Sequence, residues 1–153
     1  MAIRKILIVD DSPTDRRLIT NILTLNGYQV GTANCGEEAL EKTKDSMPDL
    51  ILMDVVMPGL NGFQATRMIT KNMDTQHIPV IMCTNKSLET DKIWGLRQGA
   101  KDYIIKPIVA DTLLHKIKVL IEKQKTEIPK KKMYKKAEPK DYEVKVLRSK
   151  RNP

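Results

Sequence analysis

Several short apolar runs of this sequence end in a side chain that could take part in chemistry. These residues are Asp10 and Asp11, Asp54, Thr84 and Lys106. Carboxylates brought close together repel, by about 4 kcal/mol for a pair 4 Å apart at an effective dielectric constant of 20. If these ends meet, the carboxylates need a divalent cation, and oxygen ligands without histidine or cysteine favour Mg²⁺. The remaining hydroxyl and ammonium groups suit the oxygens of a phosphoryl group.

Each of these residues also has a purely structural interpretation. Asp10 or Asp11 alone could cap the following helix. Thr84 could be a turn residue, and Lys106, which precedes Pro107, could be an ordinary surface lysine. Their joint occurrence at four separate run ends favours a shared site.

The elements that would position these residues alternate along the chain. Apolar runs predict strands at residues 5–9, 28–33, 50–53, 79–83 and 102–105. Segments of helical period predict helices at residues 13–26, 36–46, 63–72, 87–98 and 110–124, and Ser12, Pro13 and Asp15 mark the start of the first. This alternation predicts the α/β class, with an open, doubly wound, five-stranded parallel sheet. Such sheets bind ligands beyond the C-terminal ends of their strands, where the reactive residues fall.

Apolar spacing predicts the buried faces of two helices. The first helix would bury Leu18, Ile22 and Leu25, and the fourth would bury Ile93, Leu96 and Ala100. Trp94, the only tryptophan, lies about 100° round the helix from Ile93 and therefore at the edge of that face. It is expected either to be partly exposed and contact a partner, or to pack against a neighbouring helix or the tail.

The net charge of +8 is confined to the end of the sequence. Residues 1–122 contain 15 basic and 15 acidic side chains, whereas residues 123–153 contain 12 basic and 4 acidic ones. We expect a domain over 1–122 and a basic, flexible tail over 123–153, because the tail is too short for a second core. The tail could contact an anionic surface, or nucleic acid non-specifically, since it contains no element that reads bases.

Cysteine usage and hydropathy favour a cytoplasmic location. Cys35 and Cys83 show no metal-binding or redox spacing, so two reduced thiols are expected. The apolar runs are too short to span a bilayer, and the N-terminus lacks the pattern of a signal peptide. His77 and His115 lie away from every strand end, so no general base is predicted. That suits a phosphoryl acceptor better than a phosphatase.

Four segments carry a resemblance to a known family. ILIVDDSP, LILMDVVMPGLNG, VIMCTN and GAKDYIIKP resemble the receiver domain of two-component response regulators, over residues 3 to about 122. The resemblance implies a CheY-like, flavodoxin-like (βα)5 fold with strand order 2-1-3-4-5. MDVVMPGLNGFQATRMIT and ETDKIWGLRQGAKDYIIKP are most similar to the single-domain, PilH-type regulators of the type IV pilus chemosensory system, which governs twitching motility. A chemotaxis-type or other stand-alone receiver is the alternative.

The same resemblance implies a phosphoacceptor and its metal ligands. Asp54 would receive a phosphoryl group from the phosphohistidine of a histidine kinase or phosphotransfer domain. Mg²⁺ would be bound directly by Asp11, Asp54 and the backbone carbonyl of Val56, and by Asp10 through a water molecule. The protein would catalyse only its own phosphorylation and dephosphorylation.

The resemblance further implies how the signal leaves the site. Thr84 and Lys106 would bind phosphoryl oxygens, and a cis peptide bond would join Lys106 to Pro107. Thr84 and Tyr103 would act as the switch, although Tyr103 could be a plain strand aromatic. A downstream motility or pilus component would bind the surface of the fourth helix, fifth strand and fifth helix, including Trp94.

Overall fold

The computed structural model describes residues 3–85 and 89–124. Its strands are β1 (Lys5–Val9), β2 (Gln29–Ala33), β3 (Leu50–Asp54), β4 (Val80–Thr84) and β5 (Asp102–Ile105). Its helices are α1 (Pro13–Leu25), α2 (Gly36–Ser46), α3 (Gly62–Lys71), α4 (Glu89–Arg97) and α5 (residues 110–124). All strands pair in parallel, in the order β2-β1-β3-β4-β5. The predicted fold class and strand order are therefore confirmed.

The chain divides into two compact units. The larger unit spans residues 2–116 and contains the whole sheet, α1 to α4 and the first part of α5. The structure describes residues 117–124 of the smaller unit, which form the remainder of α5.

The centre of the sheet is buried along its full length. All five residues of β3 and all five of β4 are buried, as expected for strands of a parallel sheet covered by helices. The edge strand β2 is partly exposed instead. Register pairs Val9 with Met53, Asp54 with Cys83, and Thr84 with Ile105. The C-terminal ends of β1, β3, β4 and β5 consequently lie side by side at one edge.

Local sequence sets where α1 and α3 begin. The Ser12 hydroxyl caps α1 by accepting the backbone N–H of Asp15, and proline occupies the first helical position. Asn61 and Gln64 form a reciprocal capping box at the start of α3. These caps therefore determine the first residues of α1, which follows β1, and of α3, which follows the loop after β3.

The predicted buried face of α1 is wrong. The helix buries Ile19 and Leu23, whereas Leu18 and Leu25 are exposed. Two apolar stripes lie one position apart on this helix, and both satisfy the helical period. Only contact with the sheet selects between them.

The predicted buried face of the α4 segment is wrong at Ile93 and Leu96 but confirmed at Ala100. Ile93 and Leu96 are exposed, and the buried positions of this segment include Gly95 and Ala100. A Cβ atom at Gly95 would lie 3.3 Å from the Met82 side chain, so the helix approaches the sheet through its smallest residue. Hydrophobic spacing cannot reveal an approach that depends on a missing side chain.

Candidate functional site

Three carboxylates meet at the C-terminal edge of the sheet. Asp10 and Asp11 follow β1, and Asp54 is the last residue of β3. One oxygen from each of the three lies within 4.8 Å of the others. Asp10 and Asp54 are buried, whereas Asp11 is exposed. The cluster is thus enclosed on the strand side and open to solvent beside Asp11.

Lys106 extends into this acidic cluster from the end of β5. Its Nζ donates hydrogen bonds to Oδ2 of Asp10 at 2.7 Å and to Oδ2 of Asp15 at 2.9 Å. The same nitrogen lies 3.3 Å from Oδ1 of Asp54. One ammonium group therefore contacts three carboxylates, and its side chain is almost fully buried.

The backbone ties Lys106 to the end of β4. Its N–H donates to the carbonyl oxygen of Thr84 at 2.8 Å, and the peptide bond between Lys106 and Pro107 is cis, as the family resemblance implies. Thr84 is buried and lies one position beyond Cys83, the register partner of Asp54. The structure thus brings the predicted strand-end residues to one edge of the sheet.

Burial and neighbouring charges shift the pKa of both central groups. Burial, followed by the negative charge of Asp10, raises the pKa of Asp54 to about 6, although Lys106 acts in the opposite direction. Burial by itself lowers the pKa of Lys106, but its hydrogen bonds to Asp10 and Asp15 and the charge of Asp54 raise that pKa above its ordinary range. Lys106 is therefore a permanent cation beside a carboxylate that is harder to ionise than usual.

Asp10 is held firmly by its surroundings. Its Oδ1 accepts the backbone N–H of Ser12 at 2.9 Å, and its Oδ2 accepts from Lys106. Its backbone carbonyl accepts from Nη1 of Arg16 at 2.7 Å. Because both carboxylate oxygens already have protein donors, Asp10 is less available for direct contact with an ion than Asp11 is.

The loop between β3 and α3 is fixed at two places. The backbone N–H of Leu60 donates to Oε1 of Glu37, in the first turn of α2, at 3.0 Å. A Cβ atom at Gly62 would lie 2.0 Å from the backbone oxygen of Asp54, so the chain returns very close to the end of β3. Val56 lies in this loop with its side chain exposed.

Asp15 joins the site although the sequence predicts for it only a place in the first turn of α1. That turn begins directly after the aspartates that follow β1, and its third position places Asp15 within reach of Lys106. An acidic residue in the first turn of a helix that follows an acidic strand end is the signal that could have indicated this role.

A family match decides which class of protein this site belongs to. Residues 6–118 match the response regulator receiver domain. The chain belongs to the response regulator receiver domain family. The resemblance found in the sequence is therefore confirmed.

Similar proteins and structures agree with this assignment. The receiver domain is 51% identical over 117 residues to Protein PilH of Pseudomonas aeruginosa, covering 76% of this chain and 97% of PilH. Its structure is similar to chemotaxis protein CheY4 of Vibrio cholerae, with a TM-score of 0.72, 33% identity, and coverage of 76% of this chain and 98% of CheY4. It is also similar to a chain in the structure of the CheX-CheY-BeF3-Mg complex of Borrelia burgdorferi, with a TM-score of 0.73 and 30% identity. The match covers 76% of this chain and 88% of that chain.

Thr84 and Tyr103 of the receiver domain line the same recess. Val55, Phe63 and Leu96 also line this small recess. The two predicted switch residues therefore border the same small recess beside the site.

Two lysines flank the ring of Tyr103. The Nζ of Lys92 lies 4.7 Å from the ring centroid and that of Lys116 lies 5.4 Å from it, both within the range of cation–π attraction. Lys116 also forms an ion pair with Asp102 at 3.0 Å. These contacts favour the partly exposed position in which Tyr103 is found.

Exposed apolar side chains surround α4 and β5. Trp94 is 49% exposed, as the first of its two predicted environments requires, and its contact with a partner stays a prediction. Ile93, Leu96, Ile105 and Val109 are exposed as well. We call Ile93, Trp94, Leu96, Ile105 and Val109 the apolar surface.

The predicted tail lies almost wholly outside the described residues, which end at 124. Its proposed contacts with nucleic acid or an anionic surface lie there too. Within residues 3–85 and 89–124, no helix is long and apolar enough to span a membrane.

Proposed function

We propose that this receiver domain is a single-domain response regulator in which Asp54 accepts a phosphoryl group from a phosphohistidine. The donor would be a histidine kinase or a phosphotransfer domain. The observation that carries the proposal is the position of the Asp54 carboxylate, 3.3 Å from the Lys106 ammonium and within the cluster formed with Asp10 and Asp11. A nucleophilic carboxylate beside a fixed cation and an acidic pocket is suited to phosphoryl transfer.

The acidic cluster fits a magnesium ion. It offers only oxygen donors, and Lys106 neutralises only one of the three carboxylate charges, so a hard divalent cation would relieve the remaining repulsion. Asp11, Asp54 and the carbonyl of Val56 would hold the ion directly. Asp10 would act through a water molecule, which agrees with the protein donors that already occupy both its oxygens. When bound, Mg²⁺ would neutralise charge on the phosphoryl oxygens.

The protein residues contribute position and charge to the reaction. An oxygen of Asp54 forms a bond to phosphorus while the bond from phosphorus to the histidine nitrogen breaks, and the nitrogen keeps that electron pair. Lys106 and the Thr84 hydroxyl bind phosphoryl oxygens. No proton is removed from Asp54, because it reacts as a carboxylate.

The conformational effect of phosphorylation would reach the surface through Thr84 and Tyr103. A Thr84 hydroxyl that turns toward a phosphoryl oxygen leaves room in the shared recess, and the ring of Tyr103 moves inward to occupy it. This movement separates the ring from Lys92 and Lys116. Phosphorylation must therefore favour the inward position by more than these contacts favour the outward one.

The apolar surface is the proposed docking site for a downstream partner. It includes Trp94, a residue type enriched at binding hot spots, and it adjoins Tyr103 along α4 and β5. The similarity to PilH over nearly the whole of that protein supports a partner in type IV pilus (twitching) motility. The similarity to chemotaxis protein CheY4 favours a chemotaxis-type receiver as the second candidate.

The proposed organisation is a receiver domain over residues 1–122 and a separate basic tail over 123–153. A phosphohistidine donor implies a cytoplasmic location. The charge of the tail supports contact with an anionic surface, and it supports specific nucleic-acid binding much less.

The decisive experiment uses the full chain, Mg²⁺ and acetyl phosphate. Intact mass spectrometry should show a gain of one phosphoryl group in the wild type and in Asp74→Asn, which changes an exposed loop aspartate. Asp54→Asn should show no gain. Phosphorylation of Asp54→Asn to the wild-type extent would refute Asp54 as the acceptor.

The choice between the two candidate functions needs a cell-based measurement. Deletion of the gene should alter twitching on a surface, and the wild-type chain but not Asp54→Asn should restore it. Normal twitching together with a swimming defect would favour the chemotaxis-type alternative.

A further inference from the structure

Three carboxylates surround the ammonium group of Lys106. Of its three N–H donors, two form hydrogen bonds with Asp10 and Asp15, and the nitrogen also lies 3.3 Å from Asp54, the proposed acceptor. Asp10 and Asp54 belong to the acidic cluster that fits a cation, but Asp15 does not. A phosphoryl oxygen can therefore bind Lys106 fully only if one of these carboxylates gives up its place.

Asp15 is the partner most easily displaced. Its side chain is 35% exposed, whereas those of Asp10 and Asp54 are 2% and 7% exposed. Its carboxylate has solvent available when it leaves the ammonium, whereas Asp10 is held by Ser12 as well.

We propose that Asp15 is a positioning residue that occupies Lys106 in the unphosphorylated protein and slows phosphoryl transfer to Asp54. The inference rests on the proposed function, because it concerns the same transfer. With acetyl phosphate, the Asp54 oxygen–phosphorus bond forms, the bond from phosphorus to the acetyl oxygen breaks, and acetate leaves with the electron pair. Lys106 transfers no proton, and its role is to bind the phosphoryl oxygens once Asp15 has released it.

The negative charge of Asp15 should slow phosphorylation in addition to the effect of its contact with Lys106. The cluster already contains three carboxylates and one ammonium group, and Asp15 adds a fourth negative charge beside that ammonium. Acetyl phosphate is an anion at neutral pH, so this charge opposes its approach. Asp15→Asn removes the charge and leaves only a weaker, neutral acceptor for Lys106.

The first test measures the rate of phosphorylation by subsaturating acetyl phosphate at saturating Mg²⁺. Asp15→Asn should react about threefold to fivefold faster than the wild type, the factor expected from losing a partly exposed ion pair. Asp15→Glu keeps the charge and should stay within about twofold of the wild type. Asp45→Asn makes the same charge change at an exposed position of α2 and should leave the rate unchanged. An Asp15→Asn rate equal to that of the wild type would overturn the inference.

A double-mutant cycle tests whether Asp15 acts through Lys106. In the Lys106→Met background, Asp15→Asn should accelerate phosphorylation by a clearly smaller factor, because the contact that it releases is already absent and only the effect of its charge remains. If Asp15→Asn accelerated phosphorylation by the same factor in that background, the charge of Asp15 alone would explain the effect. That result would overturn the positioning role. Thermal unfolding of each variant provides the check on folding.

A second measurement follows the binding of a phosphoryl analogue and so does not require transfer of a phosphoryl group to Asp54. Beryllofluoride with Mg²⁺ is the probe, and fluorine NMR of the bound anion gives its affinity. Asp15→Asn should bind it more tightly than the wild type by a factor similar to the gain in rate, and equal affinity would overturn the inference. Absence of Asp54 phosphorylation in the wild type would overturn the proposed function as well, so the two failures can be distinguished.

Discussion

Gly62 contacts the backbone of Asp54 so closely that a Cβ atom there would lie 2.0 Å from the Asp54 carbonyl oxygen. The contact comes from the first residue of α3, whose N–H also donates to the carbonyl oxygen of Val55 at 2.9 Å. The return of the chain after β3 therefore depends on the absence of a side chain at one position.

Gly62→Ala should destabilise the domain, because the new methyl group meets backbone atoms that cannot move independently. We expect a loss of about 2 kcal/mol or more in the free energy of unfolding, measured in urea. Gly31→Ala is the matched control, since a Cβ atom there meets only Leu7 at an ordinary 3.6 Å. Equal stability of the two variants would contradict this account of the turn.

Asp54→Asn should stabilise the metal-free protein at neutral pH. Folding raises the pKa of Asp54 from 3.8 to about 6, so the folded state binds its proton more tightly than the unfolded state does. The stability that Asp54 contributes is therefore complete below pH 4 and lost as the pH rises through about 6. The variant should exceed the wild type by about 2–3 kcal/mol at pH 7.5 in EDTA, and by much less at pH 4.

Urea unfolding at the two pH values, with Asp74→Asn as the exposed control, measures this difference. Added Mg²⁺ should stabilise the wild type more than Asp54→Asn, because the variant lacks one proposed ligand. A stability gain that did not depend on pH would rule out ionisation as its cause.

Glu37→Ala should weaken magnesium binding even though Glu37 is not a proposed ligand. It removes the acceptor for the Leu60 N–H, which anchors the loop containing Val56. We expect a loss of about tenfold in affinity, at the lower end of the range for residues that orient metal ligands. Calorimetry with Mg²⁺ provides the measurement.

Two further variants distinguish the anchoring of the Leu60 N–H by Glu37 from a general effect of negative charge on magnesium binding. Glu37→Gln keeps an acceptor oxygen and should retain most of the affinity. Glu41→Ala removes an exposed acid from the same helix and should change little. If Glu41→Ala weakened binding as much as Glu37→Ala, the general loss of negative charge would explain the effect.

Lys116→Met should move Tyr103 toward the recess in the unphosphorylated protein. The substitution removes a cation–π contact with the ring and an ion pair with Asp102. Fluorine NMR of fluorotyrosine-labelled protein should show the inward population rising by about twofold to fivefold, which corresponds to roughly 0.5–1 kcal/mol. Lys118→Met, at an exposed position, should leave the Tyr103 signal unchanged.

The sequence predicted the fold and most of the site because both follow from repeated, strong patterns. Continuous apolar runs indicated β3 and β4, and the rule that parallel strands present ligand sites at their C-terminal ends brought Asp10, Asp54 and Lys106 together. These inferences need no knowledge of individual side-chain contacts.

What the sequence missed depends on tertiary contacts. The choice between Ile19 and Leu18 as the buried side chain of α1 depends on how the helix is rotated against the sheet. The contact between Asp15 and Lys106 joins residues far apart in sequence through two side chains whose directions no periodicity specifies. The close approach at Gly95 depends on an absent side chain.

Since every strand runs in the same direction, the turns that lead from helices into strands lie at the edge opposite the reactive carboxylates. The turn at residues 26–28, between α1 and β2, belongs to that opposite edge. A biotin or dye attached there would leave the approach to Asp54 unobstructed. Sensor-chip kinetics with candidate kinases could then be recorded on a uniformly oriented layer of protein.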